Sequence, residues 1–210
     1  MPKFFRRIAV ITAALAALTG GSASAVELAG TITRVRGDAT AQSAGQTHTL
    51  AQNAKVYVGD EIRAGRETRI EMTMIDETKL TLGDNSRLAI DAYVFSPEKN
   101  AGAGTVRVIE GVFRAATGKL AKVDGAPFQV KMPVSTLGIR GTEFWGEQRA
   151  DNLLVALLGG KGLYLENQAG RVEIDELGFA TRITSATTAP SAPFKLTDDQ
   201  IRAALATVAW

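Results

Sequence analysis

The feature that most limits the possible folds is a two-residue rhythm of polar and apolar side chains, broken at short intervals by glycine. Arg69-Ile70-Glu71-Met72-Thr73-Met74 alternates polar and apolar residues, and Lys79-Leu80-Thr81-Leu82 and Arg87-Leu88-Ala89-Ile90 follow the same pattern. Thr105-Val106-Arg107-Val108, Phe128-Gln129-Val130-Lys131-Met132 and Arg171-Val172-Glu173-Ile174 keep the same rhythm. Period two sends alternate side chains to a buried face and to water, as in a strand of a half-buried sheet. No stretch between 26 and 190 sustains a helical period. Beyond residue 25 there are 19 glycines, so the strands are many and short. The pattern predicts an all-β fold.

Gly-Asp recurs at Gly37-Asp38, Gly59-Asp60 and Gly83-Asp84, at spacings of 22 and 24 residues. A period of that size matches one rung of a solenoid. It favours a curled, solenoid-like sheet of antiparallel or mixed strands, with a β-sandwich or barrel as the alternative. Ordinary turn chemistry also explains such pairs, since glycine supplies positive φ and aspartate bonds its own backbone. The sheet is expected over residues 26–185. Residues 186–195, rich in Ala, Thr, Ser and Pro, read as a linker. Residues 196–210 read as a short helix and tail. Thr197 and Gln200 have the spacing of a capping box, and Leu196, Ile201, Ala204, Leu205 and Val208 share one face. That face is expected to dock on the sheet; holding a partner is the other reading.

Charge is unevenly placed. The chain has 24 Lys+Arg and 22 Asp+Glu, a formal net charge of +2. Lys3, Arg6 and Arg7 precede an apolar run from Ile8 to Leu18, then Gly20-Gly21 and Ala23-Ser24-Ala25. A basic start, a short apolar run and a small-residue site form a secretory signal peptide, residues 1–25, with the cut expected after Ala25. The run is too short to span a bilayer, which takes about 20 residues. Arg6-Arg7 raises twin-arginine export, but the flanking residues fit general secretion better. Without the leader the chain carries 21 basic and 22 acidic residues. Near-neutral charge offers no basis for nucleic-acid binding. The expectation is a periplasmic or secreted chain without a transmembrane segment after cleavage.

Reactive chemistry is sparse. There is no Cys, which excludes disulfides, thiolate zinc sites and a cysteine nucleophile. His48 is the one imidazole, in the polar stretch Gln46-Thr47-His48-Thr49, and reads as an exposed residue of a loop or strand edge. No nucleophile-elbow pattern surrounds any serine. Asp76-Glu77, Asp84, Asp91 and Asp175-Glu176 are carboxylates in turn-like contexts whose spacing singles out no hydrolytic pair. Asp84-Asn85-Ser86 offers oxygens for calcium, but no calcium-loop pattern contains it. Gly159-Gly160-Lys161-Gly162 lacks phosphate-loop spacing and reads as a hairpin turn between Leu153–Leu158 and Leu163–Leu165. No catalytic residue, metal ligand or cofactor is expected.

The least generic stretch is Ser135-Thr136-Leu137-Gly138-Ile139-Arg140-Gly141-Thr142-Glu143-Phe144. It reads as a strand that turns a corner and resumes at Thr142, with Gly138 and Gly141 taking φ values closed to other residues. Arg140 is either a clamp on carbonyls or a carboxylate at that corner, or an anchor for a partner. This stretch resembles the signature of the FecR domain family. Gly30-Thr31-Ile32 and Val35-Arg36-Gly37-Asp38-Ala39 resemble the family's opening strand. Val58-Gly59-Asp60-Glu61-Ile62-Arg63-Ala64-Gly65 is similar to its G-D-x-I-x-T-G element, with Ala64 in place of threonine. Thr68-Arg69-Ile70 and Thr78–Gly83 match the next strands. Gly111-Val112-Phe113-Arg114 with Thr117-Gly118-Lys119 is similar to its G-x-F-R-x-x-T-G-K element. The resemblance covers about Leu28 to Phe144 and continues weakly to about Ile183.

It marks Gly59, Asp60, Gly111, Arg114, Gly118, Gly138, Arg140, Gly141 and Thr142 as signature residues, structural or partner-binding. The full regulator of that family has a cytoplasmic part that holds a sigma factor, then a membrane helix, then the periplasmic FecR domain. Here a leader is expected where the first two would stand. The resemblance therefore implies a stand-alone exported FecR-domain protein, a non-catalytic module binding an envelope protein or cell-surface polymer, with a possible place in signal sensing. The alternatives are a structural subunit of a surface assembly and, less favoured, a carboxylate-based glycan hydrolase.

Overall fold

The computed structural model describes residues 27–123, 127–139 and 141–210. The expected leader and Arg140 lie outside these residues. The fold is all-β with one short helix, as the alternation predicts. In chain order the strands are β1 (Leu28–Arg36), β2 (Ala39–Ser43), β3 (Gln46–Thr49), β4 (Lys55–Tyr57), β5 (Glu61–Ala64), β6 (Arg69–Met74), β7 (Lys79–Leu82), β8 (Ser86–Ser96) and β9 (Ala101–Ala116). They continue with β10 (Phe128–Met132), β11 (Ser135–Ile139), β12 (Thr142–Arg149), β13 (Asn152–Gly160), β14 (Leu163–Asn167), β15 (Gly170–Ile174), β16 (Phe179–Ile183) and β17 (Phe194–Lys195), and end on helix α1 (Asp198–Ala206).

Hydrogen bonding joins the strands into one open sheet that curls over into two layers. The first layer runs β4-β1-β6-β7-β9-β12-β13-β16-β17. The second runs β3-β2-β5-β8-β9-β10-β11-β14-β15. β9 belongs to both: Ala101–Glu110 pairs with β8 and Gly111–Ala116 with β12. Every pairing is antiparallel except β9 with β10. The sheet does not close, so the fold is not a barrel. The layers face each other as in a sandwich, but one strand carries the hydrogen bonding across.

The alternating residues now have their places. Ile70, Met72 and Leu82 of the first layer meet Ile62, Leu88, Ile90, Val106 and Val130 of the second in one core. The chain threads this core by stepping between layers, mostly a hairpin at a time. Each Gly-Asp pair marks such a step: Gly37-Asp38 between β1 and β2, Gly59-Asp60 between β4 and β5, and Gly83-Asp84 between β7 and β8 all move the chain from first layer to second. Gly37 and Gly59 have φ of 86° and 93°, and the Tyr57 N–H donates to Asp60 Oδ2 at 2.8 Å. The weak repeat is therefore the crossing device of a solenoid-like path.

Helix α1 packs on the outer face of the first layer. Leu196, Ala204 and Val208 meet Val112, Trp145, Ala156 and Ala180 there. Both bonds of the Thr197–Gln200 capping box are present, at 2.8 and 3.2 Å. The Trp145 Nε1–H donates to Thr207 Oγ1 at 3.0 Å, and the Arg34 guanidinium lies 4.1 Å from the Trp210 ring centre. Before the helix, β17 adds to β16, and Ser191 bonds Thr181 and Arg182.

Two local expectations are corrected. The Gly159–Gly162 segment is not a hairpin turn: β13 pairs with β12 and β16, whereas β14 pairs with β11 and β15, so the segment is another crossing between layers. Gly138 has no positive φ; it sits in register with Tyr164, and a Cβ there would collide with the Tyr164 ring. Its requirement is a close aromatic approach. Gly141, with φ of 68°, does need the left-handed conformation.

Candidate functional site

Gly59, Asp60, Gly111, Gly118, Gly141 and Thr142 fall at layer crossings or at the joints that brace them. Gly111 lies where β9 changes layer, with φ of 96° and its Cα face against Ser86. The Ser86 hydroxyl accepts from Val112 N–H at 2.8 Å and donates to Val112 C=O at 3.0 Å, which secures both backbone groups at the kink. Gly59 and Asp60 form the β4–β5 crossing. Arg114 projects on the outer face of the first layer, where its Nε donates to Glu143 Oε1 at 3.0 Å.

Two signature elements distant in sequence meet at one cleft. The end of β9 brings Thr117 and Gly118, and the β11–β12 crossing brings Gly141 and Thr142. Thr142 N–H donates to Thr117 Oγ1 at 2.8 Å, and Thr117 N–H donates to Thr142 C=O at 3.1 Å. Thr142 Oγ1 donates to Gly162 C=O at 2.5 Å. These bonds lock three chain segments into a rigid floor. Lys122 and Lys161 stand at the walls with Glu143, and the hollow measures about 600 Å³. Open space lies above Gly141, where a Cβ would meet nothing within 4 Å.

Behind this floor lies a residue that sequence reasoning passed over. Asp76 is fully buried. Its Oδ1 accepts from Thr78 N–H at 3.0 Å and from the Tyr93 hydroxyl at 2.7 Å. Its Oδ2 accepts from Thr78 Oγ1 at 2.7 Å and Leu120 N–H at 3.0 Å. Its backbone C=O accepts from Lys119 N–H at 2.7 Å, and Thr78 Oγ1 accepts from Gly118 N–H at 2.9 Å. Gly118 is required because a Cβ would press into the Asp76–Thr78 backbone. Burial first, and the Asp76 charge second, push the Tyr93 hydroxyl well above its ordinary pKa of 10.0. The one available sequence signal was a Thr two residues after an Asp in a turn, the pattern of a side chain bonding its own backbone; nothing local announced Tyr93 or Leu120.

The other candidate groups stay apart. His48 is exposed on edge strand β3. Asp84 faces Arg69 at 3.5 Å, Asp91 takes two bonds from Arg107 at 2.8 and 3.1 Å, and Glu77 pairs with Lys119. Tyr164, over Gly138, is stacked under Arg171 at 3.8 Å. Among the described residues no group of three or more acidic or histidine side chains converges to hold a metal, and no helix is long and apolar enough to cross a membrane.

Comparison with known proteins agrees with the geometry. Two crystal structures of a candidate anti-sigma factor from Parabacteroides distasonis ATCC 8503, at 1.65 and 2.50 Å resolution, are similar in fold. Their TM-scores are 0.56 and 0.55, each at 14% identity over 69% of this chain. The chain spans 64% and 63% of those proteins, under two thirds of their length. A search of curated proteins finds no match. The sequence model described as FecR protein matches residues 60–161, which contain the cleft, the Asp76 network and all nine signature residues except Gly59.

Proposed function

We propose that the chain is an exported, non-catalytic FecR-domain protein that works by holding another envelope component, as part of signal sensing. The observation that carries this reading is the uneven protection of the open sheet's edges. β4 is three residues long and bears Lys55; β17 has two residues; β15 bears Arg171 and Glu173. Short length and charge are the usual means of keeping foreign strands off an edge. β3, four residues long, carries no charged side chain: Gln46, Thr47, His48 and Thr49 are all exposed, and β2 is its sole strand partner among the described residues. Such an edge accepts an added strand, with backbone hydrogen bonds supplying affinity. The FecR domain and the likeness to a candidate anti-sigma factor support a regulatory protein contact. The leader-like sequence of residues 1–25, basic then apolar then Ala23-Ser24-Ala25, supports delivery outside the cytoplasm.

The test is capture of partners from native envelope by a photo-crosslinking amino acid at position 47. Specific adducts, on a chain whose N-terminus begins at Val26, are the expected result. An uncut chain, or no adduct from any exposed position, refutes the reading. Size-exclusion chromatography separates a sensor module from a structural subunit, since the latter self-assembles.

A further inference from the structure

The cleft on the signature residues has chemistry of its own. Glu143 is neutralised by Arg114, and the nearby Lys119 by Glu77. Lys122 and Lys161 have no ion-pair partner among the described residues, although both face the same hollow. Two cations therefore flank a floor held rigid by the Thr117–Thr142 bonds. Gly141 leaves the space above that floor empty, where any side chain would partly fill it. A rigid floor lowers the ordering cost of binding. The volume, about 600 Å³, suits a few residues of a peptide. Lysine presents a compact point charge suited to single carboxylates, whereas planar two-point recognition of phosphate favours arginine. Near-balanced total charge gives no long-range field for a polyanion such as nucleic acid.

We propose that this cleft, between Lys122 and Lys161, is the docking site for an acidic segment of the partner polypeptide. The assignment rests on the binding-module reading above and adds a second contact to the β3 edge. The ligand's carboxylates lie between the two ammonium groups, and its backbone passes over Gly141.

The test has two arms, with thermal melting confirming that each variant is folded. In the first, fluorescence anisotropy follows labelled hexaglutamate at low salt. Saturable binding is expected, weakened about tenfold or more by Lys122→Glu with Lys161→Glu. The control pair Lys131→Glu with Lys195→Glu, exposed elsewhere, is expected to change it less than about twofold. Absent binding, an equal loss in the control pair, or full displacement by millimolar inorganic phosphate overturns the assignment. In the second arm, a photo-crosslinker is placed at Ala121 in the cleft and at Thr47 on β3. Envelope adducts from position 121 that vanish with the charge reversal support the cleft. Adducts from position 47 alone overturn the cleft and leave the binding-module reading standing. Adducts from neither overturn both.

Discussion

Replacing Asp76 by alanine strips the acceptor from four donors at once: the Tyr93 hydroxyl, the Leu120 N–H, the Thr78 N–H and the Thr78 hydroxyl, of which only the last can rotate toward another acceptor. Tyr93 and Leu120 are themselves buried, so water cannot replace the lost oxygen atoms without opening the core. A buried donor left without an acceptor costs about 1–3 kcal/mol, so three give a loss of about 3–6 kcal/mol after some relaxation. Domains are stable by about 5–15 kcal/mol in total, which makes this loss a large share. Urea unfolding followed by tryptophan fluorescence reads it directly; with m near ~2 kcal/mol/M the midpoint falls by about 1.5–3 M. Asp76→Asn keeps one acceptor oxygen and is expected to fall between wild type and alanine. Glu77→Ala, one residue away but in an exposed pair with Lys119, is expected to cost under about 1 kcal/mol. If Asp76→Ala costs no more than Glu77→Ala, the buried network does not hold the β7 turn to the Lys119–Lys122 segment, and the reasoning fails.

Three further outcomes are expected. Because the Tyr93 pKa is raised in the folded chain, the unfolded chain loses that proton first; the stabilising contribution is complete below about pH 10 and declines above it, by up to about 1.4 kcal/mol per pH unit. Urea midpoints between pH 9 and 11 measure this slope, and Tyr93→Phe should flatten it. Gly138→Ala should cost about 1–3 kcal/mol by displacing the Tyr164 ring, and Tyr164→Ala should relieve most of that cost in a double-mutant cycle. Thr197→Ala should cost about 1 kcal/mol through loss of the cap and shift Trp145 fluorescence to the red as α1 loosens from its Thr207 contact; an unchanged spectrum would separate the cap from docking.

Legibility followed distance along the chain. The strands around Arg69–Met74 and Arg171–Ile174 were readable because alternation is a property of neighbours. So was the cap of α1, whose two partners lie three residues apart. Gly111, Gly118, Gly138 and Gly141 stood out as signature residues; Gly141 is explained by its own positive φ, but the reason for the other three lay elsewhere in the chain: Ser86, the Asp76–Thr78 backbone and Tyr164 respectively. Asp76 looked like an ordinary turn carboxylate beside Glu77, since its partners Tyr93 and Leu120 are 17 and 44 residues away. The Gly159–Gly162 segment invited a hairpin reading because its flanks are both strand-like, and only the pairing of those flanks with β12 and β11 shows that they belong to different layers.

Residue order alone thus established strand content, the turn points, the terminal helix and the lack of reactive cysteine or clustered histidine. Folding settled which strands pair, that β9 serves both layers, that one aspartate is sealed in the core, and that two lysines share a cleft with Gly141. The division has one cause: side-chain alternation and capping act between near neighbours, whereas strand pairing and burial join residues that the chain itself keeps far apart.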